Sequence, residues 1–134
     1  MGKSYLIDTN AVIDYLNNNL PPQANQLIDS FQPKISIISR LELLSWHGAN
    51  EKQLEVLAEF INSSMVFLLE ETVILKTIEI RKTFRLKLPD AIIAATALVN
   101  ELILLTRNTK DFKDISALEI VNPHEILANS KRLE

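Results

Sequence analysis

Tyr5-Leu6-Ile7-Asp8-Thr9-Asn10 opens the chain with a short apolar run that stops at a carboxylate. Strands covered on both faces read as continuous apolar runs, and open α/β sheets place their chemistry just past the carboxyl ends of such strands. The hexapeptide therefore predicts the first strand of a parallel sheet, delivering Asp8 to its rim. A structural role is equally available. Asp, Thr and Asn are good N-cap residues, and Val12, Ile13 and Leu16 follow at helical spacing, so Asp8 or Thr9 can simply begin a helix.

Working outward, Asn17-Asn18-Asn19 and Pro21-Pro22 close that helix and open a short second one carrying Ala24, Leu27, Ile28 and Phe31. Ile35-Ser36-Ile37-Ile38 is apolar and β-branched, as a buried second strand should be. From Ser39 a helix carries Leu41, Leu44 and Trp46, and after Gly48 another shows Leu54, Leu57, Ala58 and Ile61 on one face. Met65-Val66-Phe67-Leu68-Leu69 reads as a third strand, followed by a helix over 71–85. The helix over 88–100 has Pro89 in its first turn and almost no polar face, which predicts burial nearly all round. A fourth strand over 102–105, a polar turn over 107–114 and a fifth strand over 118–121 follow, and Pro123 opens a terminal helix ending in Lys131 and Arg132. This alternation predicts one α/β domain over 1–134, with a central, mostly parallel sheet of about five strands and helices on both sides.

Composition narrows the chemistry. The 134 residues include 47% hydrophobic types, enough for one real core, and no apolar run approaches the roughly 18 residues of a membrane span, so a cytoplasmic protein without a membrane segment is expected. No cysteine is present, which excludes disulfides, thiolate nucleophiles and Cys-type zinc sites. Gly2 and Gly48 are the only glycines, too few for a phosphate-cradling loop, and two histidines with no G-x-S-x-G elbow leave a serine triad little to work with. A net charge of -3 argues against a broadly basic nucleic-acid binder while leaving room for a local basic rim.

Carboxylates remain. Glu42 closes Ser39-Arg40-Leu41-Glu42, a literal capping box, and equally sits just beyond a predicted strand, at the same rim as Asp8. Asp90 opens the apolar helix, where a charge needs either a partner such as Arg85 or Lys87 or a bound cation. Asp111 falls in Thr106-Arg107-Asn108-Thr109-Lys110-Asp111-Phe112, where turn chemistry explains Asn and Asp as well as function does. Two carboxylates brought to about 5 Å at an effective dielectric near 20 repel by roughly 3 kcal/mol. Oxygen donors gathered against that repulsion suit Mg²⁺ or Mn²⁺, the usual apparatus of phosphodiester hydrolysis.

With these residues assembled, the chain resembles the PIN-domain family, and within it the VapC-type toxins of bacterial toxin–antitoxin pairs. Leu6-Ile7-Asp8-Thr9-Asn10, Ile38-Ser39-Arg40-Leu41-Glu42-Leu43, Leu88-Pro89-Asp90-Ala91-Ile92-Ile93-Ala94-Ala95-Thr96-Ala97 and Thr106-Arg107-Asn108-Thr109-Lys110-Asp111-Phe112 carry the resemblance in the family's order. It implies a three-layer α/β/α fold and a Mg²⁺- or Mn²⁺-dependent endoribonuclease, a homodimer held in check by a cognate antitoxin. Asp8, Glu42 and Asp90 match the family's acidic core, with Asp8 and Asp90 as direct metal ligands and Glu42 and Asp111 as direct or water-mediated ones. Asn108 and Asp111 both fall at the variable fourth site, and Thr106, Asn108 and Asn10 supply auxiliary polar groups. The scheme yields a 5′-phosphate and a 3′-hydroxyl.

Arg85, Lys87 and Arg107 are the candidate contacts to an RNA backbone. Trp46 and His47, placed on the same helix as Glu42, are expected in the core or at an interface, and His124 on the surface. Two rivals stand. A haloacid-dehalogenase-like phosphatase also begins with a strand ending in Asp but needs a second Asp where this chain has Asn10. A non-catalytic scaffold would use the same carboxylates as caps and salt bridges and act through a protein partner.

Overall fold

In the computed structural model, which describes residues 2–126, five short strands alternate with helices. They are β1 (Tyr5–Ile7), α1 (Thr9–Leu16), α2 (Pro22–Asp29), β2 (Lys34–Ser36), α3 (Ile37–Leu44), α4 (Glu51–Asn62), β3 (Met65–Phe67), α5 (Glu71–Thr83), α6 (Leu88–Val99), β4 (Ile103–Leu105), α7 (Thr109–Phe112) and β5 (Ile120–Val121), followed by a 3₁₀ turn at Pro123–Glu125. None of the described helices is long and apolar enough to cross a membrane.

Every ladder is parallel: β1 with β4, β4 with β5, and β2 with β3. β2 lies beside β1 without a hydrogen-bonded ladder, so the five strands stand in the order 3-2-1-4-5 as ladders of three and two. From β1 the chain winds outward through β2 and β3, then returns to the far side of β1 for β4 and β5. The crevice between the carboxyl ends of β1 and β4 is therefore the switch point of the sheet, where open α/β folds bind and react.

Alternation along the strands separates two cores. Leu6 and Leu104 face α5 and α6, with Val73, Ile80 and the 91–95 stretch. Ile7 and Leu105 face the other layer, with Val12, Ile28, Ile35, Leu43, Leu57 and Phe60. The result is α/β/α. In α6, Ala91 to Ala97 are all buried, and the alanines allow close approach of α5; the one hydroxyl among them, on Thr96, donates to the Ile92 carbonyl at 2.7 Å.

Several boundaries differ from the sequence pattern, each for a local reason. The second strand stops at Ser36 rather than Ile38, because Ser36 is the N-cap of α3 and its hydroxyl accepts from the Ile38 N–H at 3.0 Å. The Ser39–Glu42 capping box is consequently not formed. Ser39 is buried in the third position of the helix. The rotation also puts Leu43 in the core and leaves Leu41 and Leu44 exposed. Trp46 and His47 lie past the end of α3, and Trp46 is exposed rather than core. α5 ends at Thr83, because Phe84 is extended. Pro123 opens a 3₁₀ turn, and the rest of the predicted terminal helix, with Lys131 and Arg132, lies outside the described residues.

Because Ser36 is the working cap, Ser36→Ala is expected to lower stability by about 1 kcal/mol. Urea denaturation midpoints at constant slope check this.

Candidate active site

The register of β1 on β4 sets the site. Tyr5, Leu6 and Ile7 pair with Ile103, Leu104 and Leu105, so the next residues, Asp8 and Thr106, emerge side by side at the switch point. The Asp8 N–H continues the ladder by donating to the Leu105 carbonyl at 2.9 Å. Asp8, a candidate site residue, is the N-cap of α1: its Oδ1 accepts from the Thr9 N–H at 2.8 Å and so starts the helix. Its Oδ2 accepts from the Thr106 hydroxyl at 2.9 Å and from Asn10 Nδ2 at 3.2 Å.

Asp8 is only 4% exposed. Burial pushes its carboxyl up from 3.8 to about 6; the bonds from Thr106 and Thr9 pull it down, and the charges of Asp90 and Glu42 push it further up. Asp90, in the first turn of α6, is also raised, by burial first and then by Asp111 and Glu42, with Lys87 opposing. Its helix turn is not packed into the core as the apolar pattern predicts. Leu88 and Pro89 are exposed and Asp90 is half-buried, with the core beginning at Ala91. Asp8 thus feels Asp90 and Glu42, and Asp90 feels Asp111 and Glu42, which links the four carboxylates through Asp90.

Glu42, released from capping, projects from α3 toward the start of α1, where the Thr9 hydroxyl donates to its Oε1 at 2.5 Å. The Ser39 hydroxyl lies 2.9 Å from the same Thr9 oxygen. Thr106 is fully engaged: its hydroxyl donates to Asp8 and accepts from the Asn108 N–H at 3.0 Å and from Asn10 Nδ2 at 3.2 Å. Asn10 in turn accepts from the Arg107 N–H at 3.1 Å. Asn108 is the residue before α7 and uses no side-chain cap.

The acidic oxygens suit a hard divalent cation, and the charge of Asp90 and Glu42 on Asp8, and of Asp111 and Glu42 on Asp90, is repulsion such an ion would relieve. Among the described residues, no three acidic or histidine side chains as they stand form a ready-made metal cage. The donor chemistry fits an ion; a closed ring would require the side chains to draw together.

Of the candidate RNA contacts, Arg85 and Lys87 are exposed, Lys87 being the residue that caps α6. Arg107 is committed elsewhere. Its Nη1 lies 2.9 Å from both carboxylate oxygens of Asp14, a buried residue of α1. His124 joins the same carboxylate through Nε2 at 2.8 Å, so it is not a free surface residue. Asp14 carries no distinguishing mark in the sequence beyond lying four residues after Asn10, on the same face of α1.

Comparison with known proteins gives a consistent picture. The PIN domain profile matches residues 5–118. A chain of a toxin–antitoxin complex from Klebsiella pneumoniae is 34% identical, with a TM-score of 0.73 over 92% of this chain and 100% of that one. A chain of the DNA-bound VapBC from Salmonella typhimurium is 24% identical, with a TM-score of 0.79 over 90% and 98%. One from FitAcB of Neisseria gonorrhoeae is 25% identical, with a TM-score of 0.69 over 91% and 99%. No curated protein matches the chain.

The raised carboxyl of Asp8 makes stability depend on pH. Between 3.8 and about 6 the folded chain holds a proton that the unfolded chain has released, so this group's contribution falls as pH rises through that window, by about 3 kcal/mol in all. In chelator, the wild type is expected to lose more stability between pH 4 and pH 7 than Asp8→Asn does, read from urea midpoints at both pH values. A shallower slope should survive in the variant, because Asp90 is raised as well.

Proposed function

The chain belongs to the PIN-domain family, of the VapC type, and on that premise we propose that it is a divalent-metal-dependent endoribonuclease, the toxin of a toxin–antitoxin pair. The observation that carries the reading is the convergence of Asp8, Glu42, Asp90 and Asp111 at the switch point, with Asp8 and Asp90 raised by burial first and by neighbouring carboxylates after it. Asp8, Glu42, Asp90 and Asp111 would hold Mg²⁺ or Mn²⁺. When bound, such an ion supplies an acidified water and neutralises charge developing on phosphorus.

The chain's own residues do the positioning. Thr106 and Asn10 fix the Asp8 carboxylate in one orientation, leaving it no freedom to swing from the rim. Thr9 and Ser39 orient Glu42 from the neighbouring helix start. Asp90 is carried on a helix whose next seven residues are all buried, so its backbone is held by the core. Arg85 and Lys87, exposed and a few residues before Asp90 in the chain, would guide a phosphate backbone toward the acidic crevice.

An antitoxin and a second copy of the chain are the proposed protein partners, in a cytoplasmic setting. Exposed apolar side chains on α3 and α4 (Leu41, Leu44, Leu54) with Trp46, and around α5 (Leu68, Leu69, Leu75, Ile78), support this, since a surface of that kind calls for cover.

Incubating the protein with RNA and Mg²⁺ or Mn²⁺ tests the reading. Cleavage leaving 5′-phosphate and 3′-hydroxyl ends is expected, and 2′,3′-cyclic phosphate ends would contradict it. Asp90→Asn should lose more activity than the 10–100-fold typical of losing a metal's outer partner, and should weaken Mn²⁺ binding in calorimetry. A scaffold would bind the ion equally before and after the substitution.

A further inference from the structure

We propose that Asp14 is a positioning residue for the active site, holding the turn after β4 against α1 by a two-point grip on Arg107. Asn10 and Asp14 lie four residues apart on one face of α1. Asn10 Oδ1 takes the Arg107 backbone N–H at 3.1 Å, and the Asp14 carboxylate takes the guanidinium through Nη1 at 2.9 Å to each oxygen. One residue is thereby held at its backbone and at the far end of its side chain.

The residue immediately before it is Thr106, whose hydroxyl reaches Asp8 Oδ2 at 2.9 Å, and the residue after it, Asn108, donates its N–H to that same hydroxyl at 3.0 Å. Register and the Thr106 N–H, which donates to the Val121 carbonyl at 3.0 Å, hold Thr106 from the sheet side, and Arg107 seated on α1 holds it from the turn side. A slip of a few tenths of an ångström would take a 2.9 Å bond toward the limit of a useful one.

Asp14 is also the meeting point of three distant segments. α1 supplies the carboxylate, the β4–α7 turn supplies Arg107, and the 3₁₀ turn at Pro123–Glu125 supplies His124, whose Nε2 lies 2.8 Å from Oδ2. A carboxylate only accepts, so the ring carries its proton on Nε2 whether charged or neutral. With only 6% of its side chain exposed, Asp14 sits where an unpaired charge would be costly, and the two donors satisfy it together. A charge buried this thoroughly beside the site, and bound to the residue that flanks Thr106, does more than close a surface gap.

The inference rests on the nuclease reading for its kinetic arm alone; its hydrogen-exchange arm is independent of any activity. Asp14→Asn keeps the shape and removes the charge. Amide exchange at Arg107 and Asn108 should then quicken by at least about tenfold, the usual worth of a hydrogen bond to a charged group, while Leu104 in β4 keeps its protection. RNA cleavage should show a lowered kcat at unchanged KM. Arg107→Met, which keeps the stem but removes the charge and the donors, should reproduce both effects and serves if Asp14→Asn fails to fold. Unchanged exchange at Arg107 and Asn108 would overturn the proposal, as would equal acceleration throughout the sheet, which would mark Asp14 as ordinary stabilisation. A raised KM at unchanged kcat would overturn it too, since Arg107 would then act on RNA directly. Altered exchange in a protein that cleaves no RNA would leave the positioning role standing and remove the nuclease reading instead.

Discussion

A carboxylate with 4% of its surface exposed stands at the carboxyl end of β1, and the rest of the site is arranged around making it tolerable there. Desolvation is the largest influence on Asp8, and three donors from Thr9, Asn10 and Thr106 oppose it. Two of them come from α1, which Asp8 itself caps. The third comes from across the sheet, and its arrival depends on the pairing of Ile7 with Leu105. Sheet register, helix start and acid-group geometry are one constraint seen from three sides.

The same constraint sets stability against chemistry. Exposing Asp8 to water would relieve its desolvation, and removing Glu42 or Asp90 would lower its proton affinity. Instead the chain supports the acids from outside. Ser36 takes the capping duty of α3, so Ser39 and Glu42 are free to meet Thr9. The apolar length of α6 anchors Asp90 although its own first turn is partly open to solvent. Asp14, Arg107 and His124 brace the turn from behind with a second buried carboxylate that belongs to no acidic cluster.

Much of this was legible in local pattern. An apolar run ending in Asp8, the proline-opened apolar helix carrying Asp90, and the strand–helix alternation follow from short-range rules of burial period and backbone propensity. Those rules misplaced α3 because Ile35, Ile37 and Ile38 are equally good in a strand, and Ser36 and Ser39 are equally good caps. Contact with β3, whose ladder with β2 ends at Ser36 and Phe67, decided between them. Local rules also left Leu41 and Leu44 facing a core that Leu43 fills.

By itself, the amino-acid order determined the strand–helix alternation, that Asp8 ends the first apolar run, and which chemistries lack their residues. Tertiary structure alone decided that Thr106 meets Asp8 across 98 positions, that Arg107 meets Asp14 across 93, and that His124 meets it across 110. Periodicity and propensity act over a few neighbouring residues. Which polar groups share a desolvated crevice depends instead on strand order and register, and these are set only when the two faces of the sheet are both covered.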